Sequence, residues 1–229
     1  MKIAVYTCII NNYDTLRSYN PEYKKEADFF VITDNFDSKE GLFIPLKIKP
    51  KNNFRLLARY YKINSHLFFN NYDYIIYQDG TTMMNTINPA QLIEKYLLDA
   101  ELAAFRYPDE DCTYVHAEKC KAAERLLTEP ADRQMNYYRT EGFPEHFGFS
   151  EVRVVLRKNT KQIKIFNELW WNTFAKFLSC DQLCFDYCVW KLGIRRNQMQ
   201  FYYPWDAGEH EFNTSQQHNF ISLHRYENC

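Results

Sequence analysis

Hydrophobic positions fall in short continuous runs in the first third of the chain and at helical spacing further on. Residues 2–10 (KIAVYTCII) are largely apolar, with Lys2 at the start and Thr7 within, and read as a first buried strand. Asn11-Asn12-Tyr13-Asp14 interrupts it as a loop. Asp28 to Thr33 (DFFVIT) reads as a second strand ending at Asp34-Asn35. Leu42 to Ile48 reads as a third, and Pro45 assigns it to a sheet edge. Residues 53–69 keep a helical apolar period through Phe54, Leu57, Ala58, Tyr61, Ser65 and Phe68. Tyr72 to Gln78 is a strand that runs into Asp79-Gly80-Thr81-Thr82.

Pro89 opens a helix to about Asp99, since proline suits a first-turn position, and Leu102 to Phe105 is a short strand. Residues 115–128 and 130–140 read as helices, Val152 to Arg157 as a strand, and Thr160 to Lys176 and Ser179 to Leu192 as helices. The tail from Gln198 is aromatic and irregular, with Phe220 to His224 as a last strand. No repeat, linker or low-complexity segment interrupts residues 1–229, so one domain is expected. Alternating strands and helices predict an α/β fold: a mainly parallel central sheet flanked by helices.

Composition narrows the function classes. A net charge of −1 gives no global field favouring nucleic acid or an anionic membrane. No apolar run reaches the length of a membrane span, and Met1 to Tyr6 enters a strand with no leader-like segment. Seven cysteines, an odd number, argue against a secreted disulfide scaffold. A soluble, cytoplasmic protein is therefore expected.

Candidate chemistry collects at strand ends. In an open α/β sheet the ligand crevice lies at the carboxyl ends of the strands. Three of these ends are polar: Tyr6-Thr7, Thr33-Asp34 and Asp79-Gly80-Thr81. A carboxylate such as Asp79 at a strand end suits a divalent cation, although Asp-Gly is also a common turn dipeptide. Asp34 suits either a ribose or a turn cap. Arg55, Arg59, Lys62 and His66 form a polar stripe on the helix that leads into the Asp79 strand. Arg59 and Lys62 carry the chemistry of a diphosphate clamp, while Arg55 reads as solvated.

Asp181 opens a helix, where the dipole favours its ionised form; it can cap that helix or orient an acceptor hydroxyl. Cys180, Cys184 and Cys188 recur every four residues and read as a packing face rather than a metal set. His224 is a candidate partner for Asp79 on Mn²⁺. Arg133 to Pro144 (RQMNYYRTEGFP) reads as a loop that binds something polar.

Taken in order, these residues resemble a glycosyltransferase-like family that includes plant alkaline-ceramidase and mucilage-related proteins, with bacterial and giant-virus members. The resemblance rests on Tyr6-Thr7 with Tyr13-Asp14, Thr33-Asp34, Arg59 with Lys62, Asp79-Gly80 and Cys112 with Glu118. It continues through Gln134 with Tyr138-Arg139, Glu141-Gly142-Phe143-Pro144, Trp170-Trp171-Asn172 and Ser179-Cys180-Asp181-Gln182-Leu183. It implies a GT-A-type (Rossmann-like) fold, a nucleotide-sugar donor and a divalent metal, Mn²⁺ or Mg²⁺. Asp181-Gln182 then corresponds to the Asp-Gln pair near the sugar in retaining GT-A transferases. The usual Asp-x-Asp motif departs here, with Thr81 in its third position.

The resulting expectation is a hexosyltransferase-type enzyme moving a sugar from a UDP-linked donor to a glycan or glycoconjugate hydroxyl. Asp79 and His224 would hold the metal. Tyr6, Thr7, Tyr13 and Asp34 would cradle the nucleoside, and Arg59, Lys62, Gly80 and Thr81 would complete the donor site. Asp181 and Gln182 would act at the sugar, Asp181 as base if the enzyme inverts or as charge stabiliser if it retains. A nucleotidyltransferase is the first rival, but no glycine-rich phosphate loop follows Tyr6-Thr7. A non-catalytic glycan or nucleotide-sugar binding module is the second.

Overall fold

In the computed structural model, which describes residues 1–16, 20–35, 44–48, 53–203 and 208–214, the early apolar runs become the middle of a sheet. Strands β1 (Ile3–Ile9), β2 (Asp28–Thr33), β3 (Ile44–Lys47), β4 (Tyr74–Gln78), β6 (Leu102–Arg106), β7 (Ser150–Lys158) and β8 (Arg196–Met199) form it in the order β3-β2-β1-β4-β7-β6-β8. Strand β7 runs antiparallel to both of its neighbours; the other pairings are parallel. Pro45 sits on the edge strand β3, where its missing N–H costs no ladder bond. Three strands were not legible in the sequence: β8, where an irregular tail was expected from Gln198, and two shorter ones. β5 (Thr82–Met84) and β9 (Phe212–Thr214) are short and, among the described residues, pair with each other.

Six helices complete the described chain: α1 (Phe54–Ile63), α2 (Pro89–Tyr96), α3 (Thr113–Ala122), α4 (Thr128–Glu141), α5 (Lys161–Phe177) and α6 (Asp181–Leu192). Side-chain alternation along β1 divides the core in two. Ala4, Tyr6 and Cys8 join the face packed by α1 and α3 to α6, while Ile3, Val5 and Ile9 join the face beneath α2. Helix α1 is shorter than the apolar period implied. Asn64 ends it, and one 3₁₀ turn (Ser65–Leu67) carries the chain to β4. Among the described residues, no helix is long and apolar enough to cross a membrane.

The tract from Arg133 to Pro144 is not a loop. It lies mostly within α4, which Gly142 ends in the left-handed conformation (φ 81°). Its polar side chains serve packing. Gln134 is fully buried, donates to the Tyr138 hydroxyl (2.7 Å) and accepts from Ser179, while Tyr138 stacks on Tyr187 at 4.0 Å. On the facing helix, Cys184 and Cys188 are buried in the same core. The predicted strand Phe220 to His224 lies outside the described residues.

Candidate active site

Strand β4 ends where the sheet changes direction, and Asp79 stands immediately beyond it. Its backbone N–H donates to Arg153 O on β7 (2.8 Å), which fixes the strand end. The carboxylate accepts the Tyr77 hydroxyl on Oδ1 (2.7 Å). No hydrogen bond from the described residues reaches Oδ2, and the side chain is 30% exposed.

Gly80 follows because nothing larger fits. A Cβ there would lie 2.7 Å from Asp14 Cβ and 2.9 Å from Asp14 Oδ2, so the loop after β1 presses directly on the Asp79 corner. That loop turns through Asn11 and Asn12, both at positive φ, and Asp34 clasps it by accepting from Asn11 N–H (2.8 Å). The strand ends of β1, β2 and β4 thus meet at one corner.

Helix α1 delivers two cations into it. Arg59 Nε lies 2.7 Å from Asp181 Oδ1, and Lys62 Nζ lies 2.8 Å from Asp181 Oδ2 and 3.7 Å from Asp79 Oδ1. Asp181 and Lys62 are both nearly fully buried. Burial alone would raise the Asp181 carboxyl, but Arg59 and Lys62 overcome it and hold the group well below the usual carboxylate range. Asp181 does not cap its helix through its side chain: Cys180 is the N-cap residue, and the Asp181 carboxylate points at α1. Its carbonyl accepts the Trp170 indole N–H (2.7 Å), which ties α6 to α5. Gln182 donates through Nε2 to Ser150 O (2.9 Å).

The predicted site residues divide accordingly. Asp79, Gly80, Arg59, Lys62, Asp181 and Gln182 surround the end of β4, and Asp34 and Tyr13 lie on the neighbouring strand-end loops. Thr81 is buried in the turn after Asp79. Thr7 is buried, and its Oγ1 has no partner among the described residues. Tyr6 is not on the crevice. It is fully buried beneath α1 and donates its hydroxyl to Tyr61 O (3.0 Å) and Lys62 O (2.8 Å), so it braces the helix that carries the cations. Arg157, also fully buried, caps the same helix end by donating to Lys62 O (3.2 Å) and Ser65 Oγ (2.5 Å). His224 lies outside the described residues.

Sequence reasoning missed Glu151 and Arg153 on β7. They are two residues apart, hence on one face of the strand that pairs with β4. Two charged residues at that spacing, flanking Val152 ahead of the apolar run Val154 to Leu156, were the available signal.

A buried carboxylate held by two cations at the carboxyl ends of a mostly parallel sheet defines an α/β protein with a polar strand-end crevice. The chain belongs to the TOD1/MUCI70 glycosyltransferase-like domain family, whose model matches residues 1–218. No curated protein matches its sequence. Among solved structures it is similar to the apo form of the bifunctional glycosyltransferase WbbM, with 9% identity over 86% of this chain and 38% of that one (TM-score 0.47). It is also similar to the galactosyltransferase LgtC in complex with donor and acceptor sugar analogues, with 13% identity over 80% of this chain and 69% of that one (TM-score 0.45). An active-site mutant of LgtC matches over the same shares, at 13% identity (TM-score 0.46).

Proposed function

We propose that this chain is a metal-assisted glycosyltransferase of GT-A type. In this reading it transfers a sugar from a nucleotide-sugar donor, UDP-linked, to a hydroxyl of a glycan or glycoconjugate. The observation that carries it is the Asp79–Lys62–Asp181 bridge at the end of β4, in a chain whose family is glycosyltransferase-like.

Asp79 fits a divalent cation as one hard oxygen donor: Oδ1 is steadied by Tyr77, while Oδ2 accepts nothing from the described residues. The described residues bring together no set of three or more His, Cys, Asp or Glu side chains. The remaining ligands would therefore be His224, donor phosphate oxygens and water. When bound, Mn²⁺ or Mg²⁺ supplies positive charge against the leaving diphosphate.

The chain's own residues would do the rest. Asp34, Tyr13 and Thr7 lie at or beside the strand ends assigned to the nucleoside. Gly80 lets the β1 loop close on the Asp79 corner. Asp181 is a weak proton acceptor, because two cations stabilise its charged form. That supports a fixed negative charge beside the anomeric carbon, stabilising positive charge as the glycosidic bond to phosphate breaks. Arg59 and Lys62 set the position of that charge, and Gln182 keeps its amide oxygen for a sugar hydroxyl.

Thermal unfolding with UDP and Mn²⁺ tests the reading. Ligand at about a hundred times Kd adds ~2.7 kcal/mol, which raises Tm by about 5–10 °C for a chain of this size. Stabilisation by UDP with Mn²⁺ but not by free hexoses supports a nucleotide-sugar site; no response to UDP removes it.

A further inference from the structure

Glu151 has no part in the chemistry described so far, yet Asp79, Lys62 and Asp181 all lie near enough to act on its charge. Its side chain is 12% exposed, and among the described residues it makes no hydrogen bond. Among those residues its ion pair is with Arg153 Nε at 3.7 Å. A largely buried carboxyl without a hydrogen-bond partner is costly, and native structures keep such groups chiefly where a ligand or water completes them.

The backbone shows which way it opens. Pairing of β7 with β4 stops at Val154 opposite Gln78, and Asp79 N–H makes the last bond, to Arg153 O. The chain then leaves the sheet at Gly80, so Glu151 stands past the end of β4 with no β4 residue beside it. On its other side the ladder is irregular. Ala104 is opposite Val155, but Phe105 is opposite Glu151, a bulge of the kind that re-aims side chains next to ligand sites. Ser150, the preceding residue, accepts from Gln182 through its carbonyl. That bond and those from the Ser150 N–H and hydroxyl to Asp186 tie the strand to α6 immediately before Glu151.

Resting on the transferase reading, we infer that Glu151 binds a hydroxyl of the sugar being transferred.

The charged groups around Glu151 agree with that role. Arg153 on its own strand favours the carboxylate, as does Lys62 on α1; Asp79 at the end of β4 and Asp181 on α6 oppose it. Burial is the largest influence and raises its pKa. Such a carboxyl can accept a hydrogen bond from a sugar hydroxyl and, when protonated, donate one.

The test is to measure binding of UDP and of UDP-glucose, UDP-galactose and UDP-N-acetylglucosamine to the wild type, Glu151→Ala and Glu151→Gln, with Mn²⁺ present. Wild type should bind at least one UDP-sugar more tightly than UDP. Glu151→Ala should lose about tenfold in affinity for that UDP-sugar and keep its affinity for UDP. Glu151→Gln, which preserves volume, should fall between them and carries the comparison if the alanine variant does not fold. A variant that binds the UDP-sugar as tightly as wild type overturns the inference. So does a variant that loses UDP and UDP-sugar equally, the mark of a merely structural residue. In both of those cases the transferase reading survives through UDP binding; if the wild type binds no UDP, that reading falls and the inference falls with it.

Discussion

Lys62 joins Asp79 to Asp181: its ammonium lies 2.8 Å from the Asp181 carboxylate and 3.7 Å from that of Asp79. A residue on α1 therefore sets the spacing between a strand-end carboxylate and a helix-start carboxylate that are far apart in sequence. Removing one member of a buried ion pair leaves an uncompensated charge, at a cost of about 3–5 kcal/mol. Lys62→Met should therefore destabilise the fold by about that amount at neutral pH, measured by urea unfolding, and should abolish transfer.

Asp181→Asn tests the same bridge from its other end and has a pH signature. The folded-state pKa of Asp181 is depressed, so its stabilisation is fully present above the ordinary carboxylate value of about 4 and is lost as pH falls below it. The variant should be less stable than wild type by about 3 kcal/mol at pH 7. The gap should narrow below pH 4, and a gap that stays constant down to pH 2 would remove the ion pairs as its cause.

Tyr6→Phe separates the core from the crevice. The lost hydroxyl serves Tyr61 O and Lys62 O, so stability should drop by about 1–2 kcal/mol while UDP affinity is unchanged. A fall in UDP affinity at unchanged stability would return Tyr6 to the donor site.

Most of the sheet was legible because buried strands show as largely apolar runs; β2 has the bounds the sequence implied, and the proline placed β3 at an edge. The strand-end position of Asp79 was legible for the same reason. Tyr6 was misread because a tyrosine at a strand end looks the same whether its hydroxyl meets a ligand or a helix carbonyl. The helix over 130–140 was legible, but the purpose of its polar residues was not: Gln134 looks directed at a ligand when its partners, here Tyr138 and Ser179, are unknown. Arg59 and Lys62 were singled out from helical spacing, but their partner could not be, since Asp181 reaches them only through the packing of α6 against α5 and α1. Glu151 went unseen because nothing in the sequence shows that β7 outruns β4.

His116 supplies a second pH effect, away from the crevice. It packs between Tyr107 and Phe149, and burial lowers its pKa from 6.5 to about 4. The unfolded chain therefore takes up a proton first as pH falls. Stability from this residue is complete above about 6.5 and is lost between there and about 4, by up to about 3 kcal/mol. His66 is shifted the same way, so the comparison is with His116→Phe, whose stability should fall less steeply over that range. Parallel profiles would rule His116 out.

Gly80→Ala probes the corner itself. The added methyl meets Asp14 at 2.7 Å and Ile9 at 3.1 Å, so the β1 loop must move away from Asp79. Overpacking of this kind costs about 1–3 kcal/mol. UDP affinity should fall more than stability predicts, measured by titration calorimetry beside thermal unfolding; unchanged affinity would detach that loop from the donor site.

The most direct measurement is a crystal of the protein soaked with UDP and Mn²⁺ and recorded at the manganese absorption edge. A metal site on Asp79 requires an anomalous peak coordinated by Asp79 and a diphosphate lying over the end of β4. A manganese ion and a diphosphate bound away from Asp79, or an anomalous peak that persists unchanged in Asp79→Ala, would contradict it.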